Sequence, residues 1–360
     1  MDRKEISISQ FFKLLVCLSF SPAVRVTPLY ETIFADQAGW LAPLISFVPI
    51  FILLKMFDDI FSKYTEESYG QVVQDILGGI LGKIVLIIYL IGIAILLASY
   101  IRYYAIKINL ALFPNSRIHI PVIIMLLLTY LSLRRGLVVI SRMGEILFVL
   151  IVMSFVVFVV LSINNIKPEH LLPISYKDII PMGQASYGIA GLWGYLTFVC
   201  FFSDRIKDKN EMDKRGLKYL ITFTISILVL GIVTIGGLGH SVVKRTSLPF
   251  FVAVKNISLF NIIERVEAIA ITVWVAADFM LIAVFLQIII KLLEDIFDIE
   301  DTEYLIGILI MFFYGFTFYI TSTMFELQEF SVTMGMHMIV ILGIAIPYII
   351  YILGKIRKKI

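Results

Sequence analysis

The feature that most constrains this chain is a repetition. Apolar runs of about 20 residues recur along its whole length, and the charges cluster between them. Each run can cross the roughly 30 Å hydrocarbon core of a bilayer as a helix. In lipid the backbone must satisfy its own hydrogen bonds, so runs of this length read as helices. A membrane β-barrel would show alternating segments of about 10 residues instead, and none is present. Composition agrees: of 360 residues 60% are apolar and 16% charged, with mean hydropathy +0.96. A soluble domain is about a quarter charged.

Ten spans are predicted, at 8–33, 40–57, 80–110, 119–133, 145–163, 182–203, 217–238, 265–291, 304–320 and 331–353. Ten crossings put both termini on one side. The polar connection 58–79 reads as partly helical, and the long, partly apolar connection 239–264 as the place for an interfacial helix. With the N-terminus inside, 20 Lys and Arg fall in cytoplasmic segments and 6 in outer loops, while Arg25, Arg102, Lys107 and Arg265 lie within helices. That bias predicts both termini to be cytoplasmic and makes the tail GKIRKKI a positive-inside anchor. The opening MDRKEISISQFFKLLVCLSF begins like a signal peptide. Lys13 interrupts its apolar core and no A-x-A site follows, so it is read as a retained first helix.

Several function classes find no support. The net charge of +3 is no nucleic-acid signal. Cys17 and Cys200 sit inside apolar runs and read as small hydrophobes. His119, His170, His240 and His337 are far apart and lack metal-ligand spacing. There is no Walker A, G-x-S-x-G or H-E-x-x-H motif. The cluster GIVTIGGLG (231–239) has no preceding strand to make it a dinucleotide loop. No enzyme, cofactor or metal is expected.

Two spans carry features that a plain membrane anchor does not need. The first contains LSFSPAVRVTP, with Pro22 and Pro28, and is expected to break there, because proline removes a backbone N–H. The sixth contains GQASYGIAGLWGY, with Gly183, Gly188, Gly191 and Gly194. Interrupted helices at matching places in two five-helix halves suggest an inverted-repeat transporter fold, one membrane domain with repeats at 8–163 and 182–353. Freed backbone groups at mid-membrane can grip a polar solute; the alternative is that Gly and Pro serve close helix packing.

Three charges lie where lipid disfavours them: Asp278 in the eighth span, Arg25 beside the expected break, and Arg102 in the third. Such a group costs about 2.5–3.5 kcal/mol to insert and usually has a partner. It marks either a solute site or a structural ion pair, and Arg102 could snorkel outward with Lys107. An Arg25–Asp278 pair is expected. Tyr100 and Tyr104 are four apart on one face of the third span, next to Tyr103, and Trp274 and Asp278 are four apart in the eighth. Aromatic rings beside polar groups suit a small-solute pocket, and equally suit packing.

Five phrases, in this order and spacing, resemble one family: ISISQ (6–10), AGWL (38–41), RRGLVVISRMGEI (134–146), NIKPEHLLPI (165–174) and ERVEA (264–268). The whole chain resembles the B-subunit family of spore germinant receptors, the spore germination permeases. The resemblance implies an amino acid–polyamine–cation superfamily fold with five-plus-five inverted repeats. It implies a sensor in the spore inner membrane that works with an A subunit and a lipoprotein C subunit and binds a nutrient germinant, commonly an amino acid. The superfamily pocket is lined by helices 1, 3, 6 and 8. Carried over to this chain, that covers Ser21, Pro22, Ala23 and Arg25, then Tyr100 and Tyr104, then Gly191, Leu192, Gly194 and Tyr195, and finally Trp274 and Asp278. The phrase SPAVR departs from relatives, which commonly have a glycine in the break. A secondary amino-acid transporter coupled to a proton or sodium ion is the competing expectation.

Overall fold

A computed structural model describes residues 5–113, 116–256, 266–299, 301–321 and 323–360. Among them the only extended pairing is one isolated parallel bridge, Ile6 to Ile206; the rest is helices and connections. Seven stretches are long and apolar enough to cross a membrane, and the first, Ile8–Lys63, holds two helices. These are α1 (Ile8–Ala35) and α2 (Ala42–Lys63). A short amphipathic helix, α3 (Tyr69–Leu77), precedes α4 (Gly79–Ala111), α5 (His119–Leu133) and α6 (Leu137–Ser162). The sixth span is a pair, α7 (Ile179–Trp193) and α8 (Tyr195–Cys200), separated by Gly194. After α9 (Met212–Leu238) come two short helices, α10 (His240–Val243) and α11 (Pro249–Lys255). Then follow α12 (Val266–Phe297), α13 (Glu303–Ile320) and a last span made of α14 (Met324–Phe330), α15 (Met336–Val340) and α16 (Ile346–Ile356). With the two halves of the sixth span counted together, the described residues form the ten predicted segments, of which α5 and the α7–α8 pair are not among the seven long apolar stretches. The connection 58–79 is partly helical, as its polarity suggested. In 239–264 the helices are α10 and α11, and residues 257–264, with the start of ERVEA, lie outside the described residues.

The expected break in the first helix does not form. α1 runs uninterrupted through Pro22 and Pro28. Each internal proline costs about 3 kcal/mol. Against this, 21 of the 28 residues of α1 are buried, between α6, α7, α9 and α12. Packing on every side holds the helix together where propensity would end it.

The sixth span does break. Gly194 N–H bonds to Gly191 O at 2.9 Å, and Thr197 N–H to Gly194 O at 3.1 Å. These bonds span three residues instead of four, so the break is one tightened turn, not an unwound stretch. The last span has the opposite irregularity, π-turns at Ser331–Gly335 and Ile341–Ala345. A π-turn leaves carbonyls without their usual helical donors. Side-chain hydroxyls from three other helices supply them. Tyr30 donates to Val332 O, Tyr89 to Leu342 O at 2.7 Å, and Thr197 to Gly343 O at 2.6 Å.

The first and last described residues lie at one end of the bundle. The N-terminal segment pairs with 205–207. Ser203 and Lys209 hydrogen-bond to the backbone of Glu67 and Thr65. The C-terminal Lys359 meets Asp75 at 2.7 Å. The Lys359 ammonium and the Tyr64 hydroxyl beside Asp75 hold its carboxyl below the usual value.

Candidate functional site

The centre of the bundle is where α1 passes the break between α7 and α8, with α4 and α12 alongside. Two arrangements of polar groups lie there. The first surrounds a small cavity lined by Pro22, Arg25, Tyr100, Leu192, Tyr195 and Met336. It has about 20 Å³ of space, room for about one water. The Tyr100 and Tyr195 hydroxyls hydrogen-bond to each other across it. The Arg25 guanidinium lies 3.7 Å from the Tyr103 ring centroid and 5.6 Å from that of Tyr100. Cation–π attraction grows as water is excluded, so the two rings stabilise a charge that is only 8% exposed. The Arg25 Nε has no hydrogen-bond partner among the described residues.

The second arrangement is a polar knot between α1, α4 and α12. Trp274 Nε1 donates to Ser21 Oγ at 2.7 Å. Ser21 in turn donates to one oxygen of Asp278, and the Lys107 ammonium to the other. Lys107 Nζ also sits 4.3 Å from the Trp274 ring centroid. The partner of Asp278 is therefore Lys107. The expected Arg25–Asp278 ion pair is absent among the described residues, because the azimuth of Arg25 on α1 turns it toward the tyrosines of α4. Lys107 does not snorkel outward. It is 6% exposed, and its spacing from Tyr100 and Tyr104 puts all three on one face of α4. That spacing was the available signal for it.

The other expected pocket residues have different neighbours. Tyr104 and Ala23 belong to the main apolar core and do not line the cavity. Gly191 and Gly194 mark the close approach of the sixth span to the last one. A Cβ on Gly191 would lie 2.5 Å from Met336 Sδ, and one on Gly194 would lie 2.8 Å from Ile339 O. Arg102 is buried with its guanidinium 5.2 Å from the Phe318 ring centroid.

Sequence reasoning passed over one group altogether. Glu31 on α1 is 0% exposed, and neither carboxylate oxygen has a partner among the described residues. A Cβ on Gly231 of α9 would lie 2.6 Å from its Oε2, so only glycine leaves room for the carboxyl there. Thr27 and Thr234, one turn away from Glu31 and Gly231 on the same helix faces, are buried with hydroxyls that also have no partner among the described residues. The rule that singled out Arg25 applies equally to Glu31. Glu31→Gln is expected to unfold at or above the wild-type midpoint, because it removes an unpaired ionisable group of nearly unchanged size. Thermal unfolding in detergent checks this, and a midpoint well below wild type would show that the carboxylate itself is required.

The family model described as "Spore germination protein" matches residues 5–330. The chain belongs to the spore germination protein family. Spore germination protein KB of Bacillus subtilis (strain 168) is 21% identical over 296 residues, covering 79% of this chain and 77% of that protein. YfkT of the same organism is 21% identical over 364 residues, covering 99% of this chain and 97% of its own. Among solved structures, MhsT in complex with L-phenylalanine matches with TM-score 0.65 at 12% identity, covering 98% of this chain and 89% of that one. This spore germination protein thus has the LeuT-like fold of a transporter, and is an integral membrane protein by the number of its apolar helices.

Proposed function

We propose that this spore germination protein is the germinant-binding membrane subunit of a spore germinant receptor, and that its cavity beside Arg25 takes a free amino acid. The observation that carries this reading is the cavity at the break of the sixth span. There an arginine that has no carboxylate partner among the described residues and two paired tyrosine hydroxyls converge on one space. A guanidinium is the natural partner of an α-carboxylate. The fold likeness to a protein crystallised with L-phenylalanine supports the same ligand class. The space is too small for an amino acid, so binding requires the Met336 side of the cavity to move. The π-turns of the last span supply the give. On this reading the protein is a single membrane domain of two repeats, 8–163 and 182–353, in the spore inner membrane with both termini cytoplasmic. It acts with A and C subunits and performs no catalysis. The transporter-like fold favours one competing reading, secondary transport of an amino acid with a proton or sodium ion.

A thermal-shift screen of the purified protein against amino acids, nucleosides and sugars tests the proposal. At least one amino acid is expected to raise the unfolding midpoint, since ligand at 100 times Kd adds about 2.7 kcal/mol. Arg25→Met should remove that shift while leaving the ligand-free midpoint near wild type. A shift by nucleosides or sugars alone would overturn the ligand class. Concentrative uptake of a labelled amino acid by the protein alone in vesicles would favour transport over sensing.

A further inference from the structure

A groove runs along the outside of the bundle between α1, α6 and α9, away from the central cavity. Its mouth, about 770 Å³, is lined by Lys214, Arg215, Lys218 and Tyr219 at the N-terminal end of α9. It shares Val16, Val152, Thr222, Phe223 and Ser226 with a second stretch of about 360 Å³ that continues toward Phe155 and Leu230. The charges of the mouth are unbalanced. Glu211 is taken by Arg215 and Asp213 by Lys55, whereas Lys214 and Lys218 have no ion pair among the described residues. The two lysines are four residues apart, on one face, and exposed. Beyond them the groove is apolar in effect. Thr222 and Ser226 direct their hydroxyls to carbonyls of their own helix, both at 2.9 Å, and the remaining lining is aliphatic or aromatic.

Length decides what such a groove fits. From Lys218 to Leu230 is twelve residues, about 18 Å along the helix axis. Half of the roughly 30 Å hydrocarbon core is about 15 Å, the depth of one leaflet. An unpaired cation pair at the membrane face therefore opens into an apolar channel as long as one leaflet's acyl chains. We infer that this groove is a binding site for an anionic phospholipid, with its phosphate at Lys214 and Lys218 and an acyl chain along Val152, Phe155 and Leu230. A basic recess between membrane helices is the chemistry that selects an anionic head group over a zwitterionic one.

The test uses the full-length protein, delipidated in detergent and titrated with phosphatidylglycerol or phosphatidylcholine of identical chains. Bound lipid is read by native mass spectrometry. Phosphatidylglycerol is expected to bind more tightly by on the order of 30-fold, the contribution of two lysines near an anionic surface. Lys214→Gln together with Lys218→Gln should bring the two lipids to parity. Val152→Trp, at an exposed position, should weaken both by a similar factor by filling the channel. Glycerol phosphate, which carries the head-group charge without chains, should not compete. Equal binding of the two lipids by wild type, or a preference that survives in the double variant, would overturn the site. Full competition by glycerol phosphate would reduce it to an anion site without an acyl channel, and would also overturn it.

Discussion

Asp278→Ala is expected to destabilise the protein by about 3–5 kcal/mol, the cost of leaving a buried charge without its counter-charge. The stranded group is Lys107, whose ammonium bonds to Asp278 from α4 while both side chains are at least nine-tenths buried. Removing the pair together should be much milder. Lys107→Met with Asp278→Leu replaces two desolvated charges by apolar volume, a change that is often neutral or stabilising. The cycle of Lys107→Met, Asp278→Leu and the double, followed by unfolding in detergent, measures the coupling. A double variant as unstable as the sum of the singles would show that the two groups do not depend on each other.

The second large effect belongs to the crossing of the sixth and last spans. Gly343→Ala is expected to cost about 3 kcal/mol or more, at the top of the range for overpacking. A Cβ there would lie 2.3 Å from Gly194 Cα and 2.7 Å from its carbonyl carbon and oxygen, and backbone cannot rotate aside as a side chain can. The helices must separate, and the Thr197 bond to Gly343 O at 2.6 Å is lost with them. Gly183→Ala, earlier in the same sixth span, provides the comparison. Nothing lies within 4 Å of its added Cβ, so it should change stability by no more than about 1 kcal/mol. Purified yield and unfolding midpoint for the two variants check this, and equal behaviour would show that the crossing has slack.

Four of the five phrases that carried the family resemblance turn out to be contacts that hold the bundle together, not parts of the cavity. In ISISQ, Ser7 caps α1 with Gln10 in a capping box, and Gln10 then reaches Glu145 of the phrase RRGLVVISRMGEI at 3.0 Å. Lys13 bonds the same carboxylate at 2.7 Å. In AGWL, Gly39 packs on the backbone of Glu31, where a Cβ would lie 2.2 Å from the Glu31 oxygen. Trp40 points to Leu171 O of NIKPEHLLPI at 3.5 Å. These residues are local in sequence and specific in shape, which makes them recognisable. They name the family and say little about the ligand.

Local chemistry was enough for the membrane helices, since hydrocarbon leaves a chain no other way to satisfy its backbone. It was also enough to place the break of the sixth span among glycines and to single out Arg25 and Asp278 as charges that need an environment. Partners were a different matter. Lys107 and Asp278 are 171 positions apart, and which cation meets Asp278 depends on the rotation and depth of three helices. The continuity of α1 through two prolines, the burial of Glu31 against Gly231 and the π-turns of the last span were settled the same way. Propensity acts within a few residues, whereas these outcomes come from packing between helices that are distant in the chain, and at those crossings packing was the larger energy.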